Sequence, residues 1–499
     1  MQLFDLANQF GRRTALHDGT KEISYEDLLL ASENVAACLL NGSSDLNEEI
    51  VAFAAPAGLD YVAFQWGIWR AGGIAMPLNV HATIPEIEHC IETGGVKRLF
   101  AHHSSADKLA TMCEQRSIDM ILADSVPAGA NVKLPALDRS RRAMMIFTSG
   151  TTNKPKGVVS THGNIAAQVE TLLEAWEWQH TDSIPLFLPL HHVHGIINVL
   201  TCGLWAGARI ETFENGFDMP RILKAVAKQR YSVFMAVPTI YVKLIAELRA
   251  LEQSERQRAC QGFSAMRLMI SGSAALPARV HEQWQLLTGQ VLLERYGMTE
   301  IGMALSNPLH GERRPGSVGI PLPGVQIRLV EEDGQTIAKD QQNTPGEIQV
   351  RSDTVFLEYW NNPDATAESF SDGWFRTGDM AVLERGYYRI MGRLSVDIIK
   401  SGAYKLSALE IENSLLAHPA IRECAVVGVD DTTWGEVVAV AIALEDGLSL
   451  TLAELKDWAR THVSNYKIPR RLHIVESLPR NAMGKITKAD VKKLFTSAA

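Results

Sequence analysis

Nothing in this chain is arranged for a disulfide framework or a zinc site. Its six cysteines (Cys38, Cys90, Cys113, Cys202, Cys260 and Cys424) are scattered, and no two form a C-x-x-C pair. A reducing compartment fits; the cytoplasm is expected, or an organelle matrix if a transit peptide has been removed. Positive charge is also scarce. Lys and Arg number 48 against 57 Asp and Glu, a formal net charge of −9, so no global basic field draws in nucleic acid or an anionic membrane. An anionic substrate must therefore be met by locally placed Lys and Arg. Long apolar runs are missing too. The longest clean one, Val437 to Leu444, has strand length and falls well short of the roughly 18 residues a membrane span requires. The N-terminus, Met1-Gln2-Leu3-Phe4-Asp5, lacks the basic stretch and apolar core of a signal peptide. No internal repeat is visible, and nothing fixes an oligomeric state.

What is present is a long, ordinary globular composition, 46 % hydrophobic and 21 % charged over 499 residues. That length exceeds one core, which stops growing at about 250–300 residues. Residues 1–393 alternate strand-like and helix-like segments, the pattern of stacked α/β layers. Ser24 and Asp27 resemble a capping box before a helix carrying Leu28, Val35 and Leu39, which Gly42 can end. Ile50–Ala54 reads as a buried strand, with a helical stretch through Trp66 and Trp69 behind it. Residues 394–499 change character. Ser407/Glu410, Thr451/Glu454 and Thr487/Asp490 mark three helix starts around apolar strands at Cys424–Val429 and Val437–Leu444. This predicts a large, multi-layered α/β domain with mixed sheets and a small, mobile α+β domain after it.

The most informative stretch is Ile146-Phe-Thr-Ser-Gly-Thr-Thr-Asn-Lys-Pro-Lys-Gly157. Hydroxyls and free N–H groups around a turn glycine form a concavity suited to polyphosphate oxygens. It is not a Walker loop, because Lys156-Gly157 runs into Val158-Val159 instead of a Ser/Thr that opens a helix. Downstream follow Leu188-Pro-Leu-His-His-Val-His-Gly195, Ser271-Gly-Ser-Ala274, Glu294-Arg-Tyr-Gly-Met-Thr-Glu300, Gly373-Trp-Phe-Arg-Thr-Gly-Asp379, Gly392-Arg393, Lys400-Ser-Gly402 and Pro479-Arg-Asn-Ala-Met-Gly-Lys485. In this order and spacing they resemble the adenylate-forming superfamily of acyl-CoA synthetases, adenylation domains and luciferases. The resemblance covers essentially the whole chain. Within the superfamily it runs to the malonyl-CoA synthetases (malonate–CoA ligases), the branch carrying Ser395-Val-Asp-Ile-Ile-Lys400.

The resemblance implies transfer of AMP from ATP to a carboxylate, then displacement of AMP by the thiol of coenzyme A. Thr148, Ser149, Gly150, Thr151, Thr152 and Lys156 would hold the phosphates, Glu300 a Mg²⁺, and Thr299 the α-phosphate. Thr299-Glu300 alone could equally be a helix cap. Tyr296 would lie on the adenine face, with Glu294 and the Gly272-Ser273-Ala274 backbone nearby. Asp379 and Arg393 would take the ribose, and Lys485 would be the catalytic lysine of adenylation. Lys400, Gly402, Ala403 and Tyr404 would face CoA, and Ser395 would be the hinge. Relatives usually have Asp or Lys at the position of Ser395 and Gly at that of Ala403.

Arg295 carries the sharpest expectation, since relatives handling fatty or aromatic acids commonly have an uncharged residue there. A guanidinium between the adenine and acyl pockets suits bidentate contact with a second carboxylate. His192 and Ser271 would complete that lining and Met235 and Met303 limit its size, making malonate the expected acid, with methylmalonate tolerated. The alternative for Arg295 is a structural ion pair with Glu294 or Glu300, and for the protein a ligase of another short or medium acid. Further rivals are a carrier-protein loader, a catalytically silent nucleotide binder and a luciferase-type oxygenase. The clustered His191, His192 and His194 suggest zinc only superficially, with no Cys or carboxylate ligand nearby.

Overall fold

The computed structural model describes residues 2–129, 132–148, 155–401, 404–480 and 486–496, and the expected positions at 149–152, 402–403 and 485 lie outside them. Five sheets carry the architecture. The largest has seven strands in the order Glu358–Tyr359, Lys156–Thr161, Arg142–Thr148, Ile74–Pro77, Ile50–Ala54, Arg98–Ala101 and Asp119–Leu122. Its last five strands are parallel, and the first two are antiparallel to their neighbours. The Ile50–Ala54 strand is buried throughout, as an apolar run flanked by helices on a parallel sheet must be.

Helix boundaries follow local chemistry. Ser24 accepts the Asp27 N–H while the Asp27 carboxylate takes the Ser24 N–H, a complete capping box for Tyr25–Leu40. That helix ends one residue before Gly42, at Asn41, which adopts φ 41. Asn is the non-glycine residue that best tolerates this left-handed conformation. Thr451 and Glu454 form a second full box. Ser407 caps Ala408–Leu415, but the Glu410 side chain goes to Lys467 instead of closing the box.

A second sheet, in which Val233–Ala236, Leu268–Ser271 and Leu293–Met298 run parallel and Gly302–Ser306 folds back as a hairpin, adjoins at its Val233–Ala236 edge the Ser183–Leu186 edge of a third that also contains Thr14–His17 and Arg209–Thr212, with Ser232 N donating to Ser183 O (3.0 Å). One main core gathers side chains from Leu3 to Tyr388. Two others draw only on residues from Ile399 onward, with strands Ile421–Asp431 and Gly435–Leu444 at their centre. A small cluster of Met380, Val382, Met391 and Ile398 lies between. Among the described residues, no helix is long and apolar enough to cross a membrane.

Asp182 ties the second and third sheets together. Its carboxylate, 2 % exposed, accepts from Gln179 N (2.8 Å), Ser232 Oγ (2.7 Å) and the Arg267 guanidinium, whose other nitrogen donates to Trp176 O (2.8 Å). Removing one member strands the buried partner. Asp182→Ala should therefore lower the stability of the earliest urea transition by about 3–5 kcal/mol. A loss below about 1 kcal/mol would remove this network as the tie.

Candidate active site

The Leu293–Met298 strand puts the chemistry in place, because successive side chains leave it on opposite faces. Tyr296 reaches across to the strand Trp374–Glu384, where its hydroxyl donates to Asp379 Oδ2 at 2.6 Å. Arg393, the antiparallel partner of Asp379, sets Nε 3.1 Å from Oδ1 and donates through another nitrogen to Thr377 O (3.1 Å). Gly378 between them has φ +72, and its N–H donates to Glu347 (3.1 Å). A Cβ there would lie 3.2 Å from the Arg393 guanidinium. Burial raises the Asp379 pKa and the Arg393 charge opposes that rise. Three of the residues expected around adenosine thus meet in one cluster.

Thr299 and Glu300 lie in the turn of a β-hairpin, between Leu293–Met298 and Gly302–Ser306, so the helix-cap alternative falls. The turn is seated by a segment the sequence reading did not single out. Phe356 N donates to Glu300 O (2.7 Å), Thr354 Oγ1 to Ile301 O (2.8 Å), and Tyr359 OH to Glu300 Oε1 (2.9 Å). Lys156 stands over the Tyr359 ring, 4.8 Å from its centre. The buried Glu300 carboxyl has its pKa raised by burial. One carboxylate with Oε1 anchored by Tyr359 suits Mg²⁺, which takes one or two protein oxygens together with phosphate and water. Thr148 ends the strand that leads into the phosphate loop.

Arg295 lies on the other side of the same strand. It is 5 % exposed, its Nε has no hydrogen-bond partner, and its Nη2 makes one long contact with Ser273 Oγ (3.4 Å). No carboxylate pairs with it among the described residues, so the expected alternative of an ion pair with Glu294 or Glu300 is not what the fold builds. The Glu294 carboxyl instead takes the Gly316 N–H (3.0 Å), and burial pushes its pKa up to about 8. Glu294 O accepts from Asn307. Neither group of Glu294 is directed to the adenosine cluster. Burial alone pulls Arg295 down to about 9, which leaves it cationic at neutral pH. Gly272 lies beneath the guanidinium: a Cβ there would lie 2.5 Å from Arg295 Nε.

Ser273 holds φ +70, a conformation L side chains rarely adopt, and its hydroxyl bridges Arg295 to His194 Nδ1 (3.0 Å). Ala274 follows it in the same exposed bend. Ser271 is buried with Oγ unpartnered, and its backbone is in register with Glu294. Met235 and Met303 are both fully buried. Met303 closes over Gly297, where a Cβ would sit 2.6 Å from its methyl. The His192 ring lies against that of His191, centres 4.1 Å apart and planes tilted by 52°. It is His194, not singled out as a lining residue from sequence, that reaches the Arg295 group.

Ser395, the expected hinge, is exposed at the tip of a turn over 394–397, with Asp397 N donating to Arg393 O (2.8 Å). Asp397 Oδ2 accepts the Arg393 N–H (3.0 Å), and Oδ1 faces Lys488 (3.4 Å), which also pairs with the buried Glu412. Lys400 pairs with Glu332 at 3.4 Å. Tyr404 begins the strand that pairs with Ile398–Ser401.

Comparisons with known proteins agree with this layout. The AMP-binding enzyme family matches residues 3–360, and the AMP-binding enzyme C-terminal domain matches residues 410–485. The mitochondrial malonate–CoA ligase ACSF3 of Xenopus laevis is 43 % identical over 533 residues, spanning 97 % of this chain and 90 % of that protein. A malonate–CoA ligase of Arabidopsis thaliana is 39 % identical, spanning 91 % of this chain and 79 % of its own. The crystal structure of ATP-bound MatB from Rhodopseudomonas palustris matches with a TM-score of 0.88 at 30 % identity, over 99 % of both chains. A fold matched from end to end and family models that cover residues 3–360 and 410–485 make this chain a member of the AMP-binding enzymes, the adenylate-forming superfamily.

Proposed function

We propose that the protein joins malonate to coenzyme A in two steps, forming malonyl-adenylate and pyrophosphate from ATP and then malonyl-CoA and AMP. A carboxylate does not yield to a thiol at neutral pH because oxide leaves too poorly; AMP is the better leaving group. The observation that carries the choice of acid is Arg295, a buried cation without a carboxylate partner among the described residues. A diacid brings the missing charge with its unreactive end, while acetate leaves the cation desolvated and alone. The malonate–CoA ligases among its relatives support the same reading.

In this reading Tyr296 backs the adenine, and Asp379 and Arg393 hold the ribose hydroxyls, their mutual hydrogen bonds fixing them before nucleotide arrives. The loop from Thr148 to Lys156 cradles the β- and γ-phosphates, and Thr299 donates to the α-phosphate. Glu300 and the phosphates would hold Mg²⁺, which supplies charge neutralisation at the phosphoryl oxygens when bound. Lys485, in a domain comprising residues 394–499, bridges the attacking carboxylate and the α-phosphate as negative charge gathers there. Rotation about Ser395 then withdraws it and turns Lys400, Gly402, Ala403 and Tyr404 toward CoA. All three reactants are small and water-soluble, consistent with work in the cytoplasm or an organelle matrix.

Three experiments test this. AMP formation with ATP, CoA and malonate, compared with acetate, propionate, succinate and octanoate, should favour malonate; equal or faster turnover of another acid makes the protein a ligase for that acid. Arg295→Leu should lower malonate kcat/KM by about 10² to 10³ or more, since 3–5 kcal/mol for an unpaired buried charge corresponds to about 10²–10⁴, with little change in ATP binding. An unchanged malonate kcat/KM overturns the diacid assignment. Lys485→Ala should abolish malonate-dependent ATP–pyrophosphate exchange while still converting supplied malonyl-adenylate and CoA to thioester. Equal loss of both half-reactions in a folded variant would contradict that division of labour.

A further inference from the structure

We infer that His194 is a second specificity-determining residue of the acyl pocket, a neutral imidazole whose Nε2–H donates to the same far carboxylate that Arg295 neutralises. The inference rests on the diacid reading above and adds a residue and a proton position to it.

Three observations carry it. His194 is 4 % exposed, its Nδ1 is 3.0 Å from Ser273 Oγ, and its Nε2 has no partner among the described residues. Arg295 approaches the same hydroxyl, at 3.4 Å from Nη2, and its own Nε is also unpartnered. Asn198, four residues further along the π-helix His194–Thr201, is 1 % exposed with both amide atoms unpartnered. Buried polar groups almost always find hydrogen bonds. A cation and an imidazole left open around one bridging serine, with an unpartnered amide four residues further along the same π-helix, are complementary to a ligand with several acceptor oxygens. The π-helix, a turn form concentrated at functional sites, is the element that turns His194 toward Ser273.

The proton's position follows from what each group can do. A guanidinium only donates, so Ser273 Oγ is its acceptor and the serine hydrogen is free to point elsewhere. In the proposed arrangement that hydrogen goes to His194 Nδ1. The imidazole then carries its single hydrogen on Nε2, the nitrogen with no other partner. Burial, with the nearby Arg295 charge, holds His194 well below the ordinary imidazole value, so it stays neutral across the working range. A neutral donor beside a fixed cation binds a carboxylate without adding a second desolvated charge. The left-handed backbone at Ser273 aims the hydroxyl between the two, the kind of local strain that collects at ligand-binding positions.

The test compares wild type, Arg295→Leu, His194→Leu, His194→Gln and Ser273→Ala by ATP–pyrophosphate exchange with malonate and with propionate, together with KM for ATP and thermal midpoints. Loss of one hydrogen bond to a charged group corresponds to about 10- to 100-fold, so His194→Leu should reduce the malonate-over-propionate ratio by that factor. His194→Gln, which keeps an N–H donor, should recover most of the ratio. Ser273→Ala, which frees the imidazole to place its proton on Nδ1, should reduce the ratio several-fold, and this arm decides the matter if His194→Leu does not fold. A ratio within about threefold of wild type in His194→Leu, or equal losses on both acids, overturns the assignment. Arg295→Leu separates the two claims. If it loses malonate selectivity while the His194 and Ser273 variants do not, only the His194 role fails. If it keeps selectivity, the diacid reading and the inference built on it fail together.

Discussion

A desolvated guanidinium with no carboxylate partner among the described residues is the constraint around which this part of the fold is arranged. Leaving a charge buried and unpaired is among the most expensive things a fold can do, yet Arg295 is held between strands with one long contact to a serine. Its surroundings accept further local cost to keep it there. Gly272 lacks a side chain because the guanidinium occupies the space a Cβ would need, and Ser273 adopts a left-handed backbone next to it. The two carboxylates nearest in sequence are engaged elsewhere, Glu294 with Gly316 and Glu300 with Tyr359. The strand alternation that separates Glu294 from Arg295 thus keeps the cation available.

The cluster around Tyr296 is built on the opposite principle, with each charge already satisfied. Asp379 receives Tyr296 and faces Arg393, and Arg393 also reaches Thr377 O. These contacts join the Leu293–Met298 strand to the sheet that carries Trp374–Glu384 and Tyr387–Arg393, so the cluster is a junction between sheets. Rigidity there and the unmet charge of Arg295 sit a single residue apart on one strand. In the proposed function that adjacency would let one strand present the two halves of the adenylate to different chemistry.

Local features were readable before the fold was known. Capping boxes at Ser24 and Thr451 depend on residues three apart, and the Ile50–Ala54 strand is a contiguous apolar run. The family motifs assign Tyr296, Asp379 and Arg393 to one site because their order along the chain is distinctive, and the structure brings these three into contact. What escaped depends on contacts between distant segments. Tyr359 anchors Glu300 from 59 residues away, and Ser273 meets His194 from 79 away. Among three histidines within four positions, only the irregular π-helix decides which one turns inward, and no short-range periodicity encodes that. Thr299-Glu300 has the composition of a cap, but strand pairing on both sides makes it a hairpin turn instead.

Asp397 sits just past the exposed Ser395 turn and divides its two oxygens between opposite sides of it, one to the Arg393 amide and one to Lys488. Any twist of the chain at Ser395 that parts the first contact leaves the second intact. Were the small domain to turn at Ser395 as proposed, Asp397 would keep the Lys488 ammonium, and no bare carboxylate would meet the apolar cluster of Met380, Met391 and Ile398 alongside.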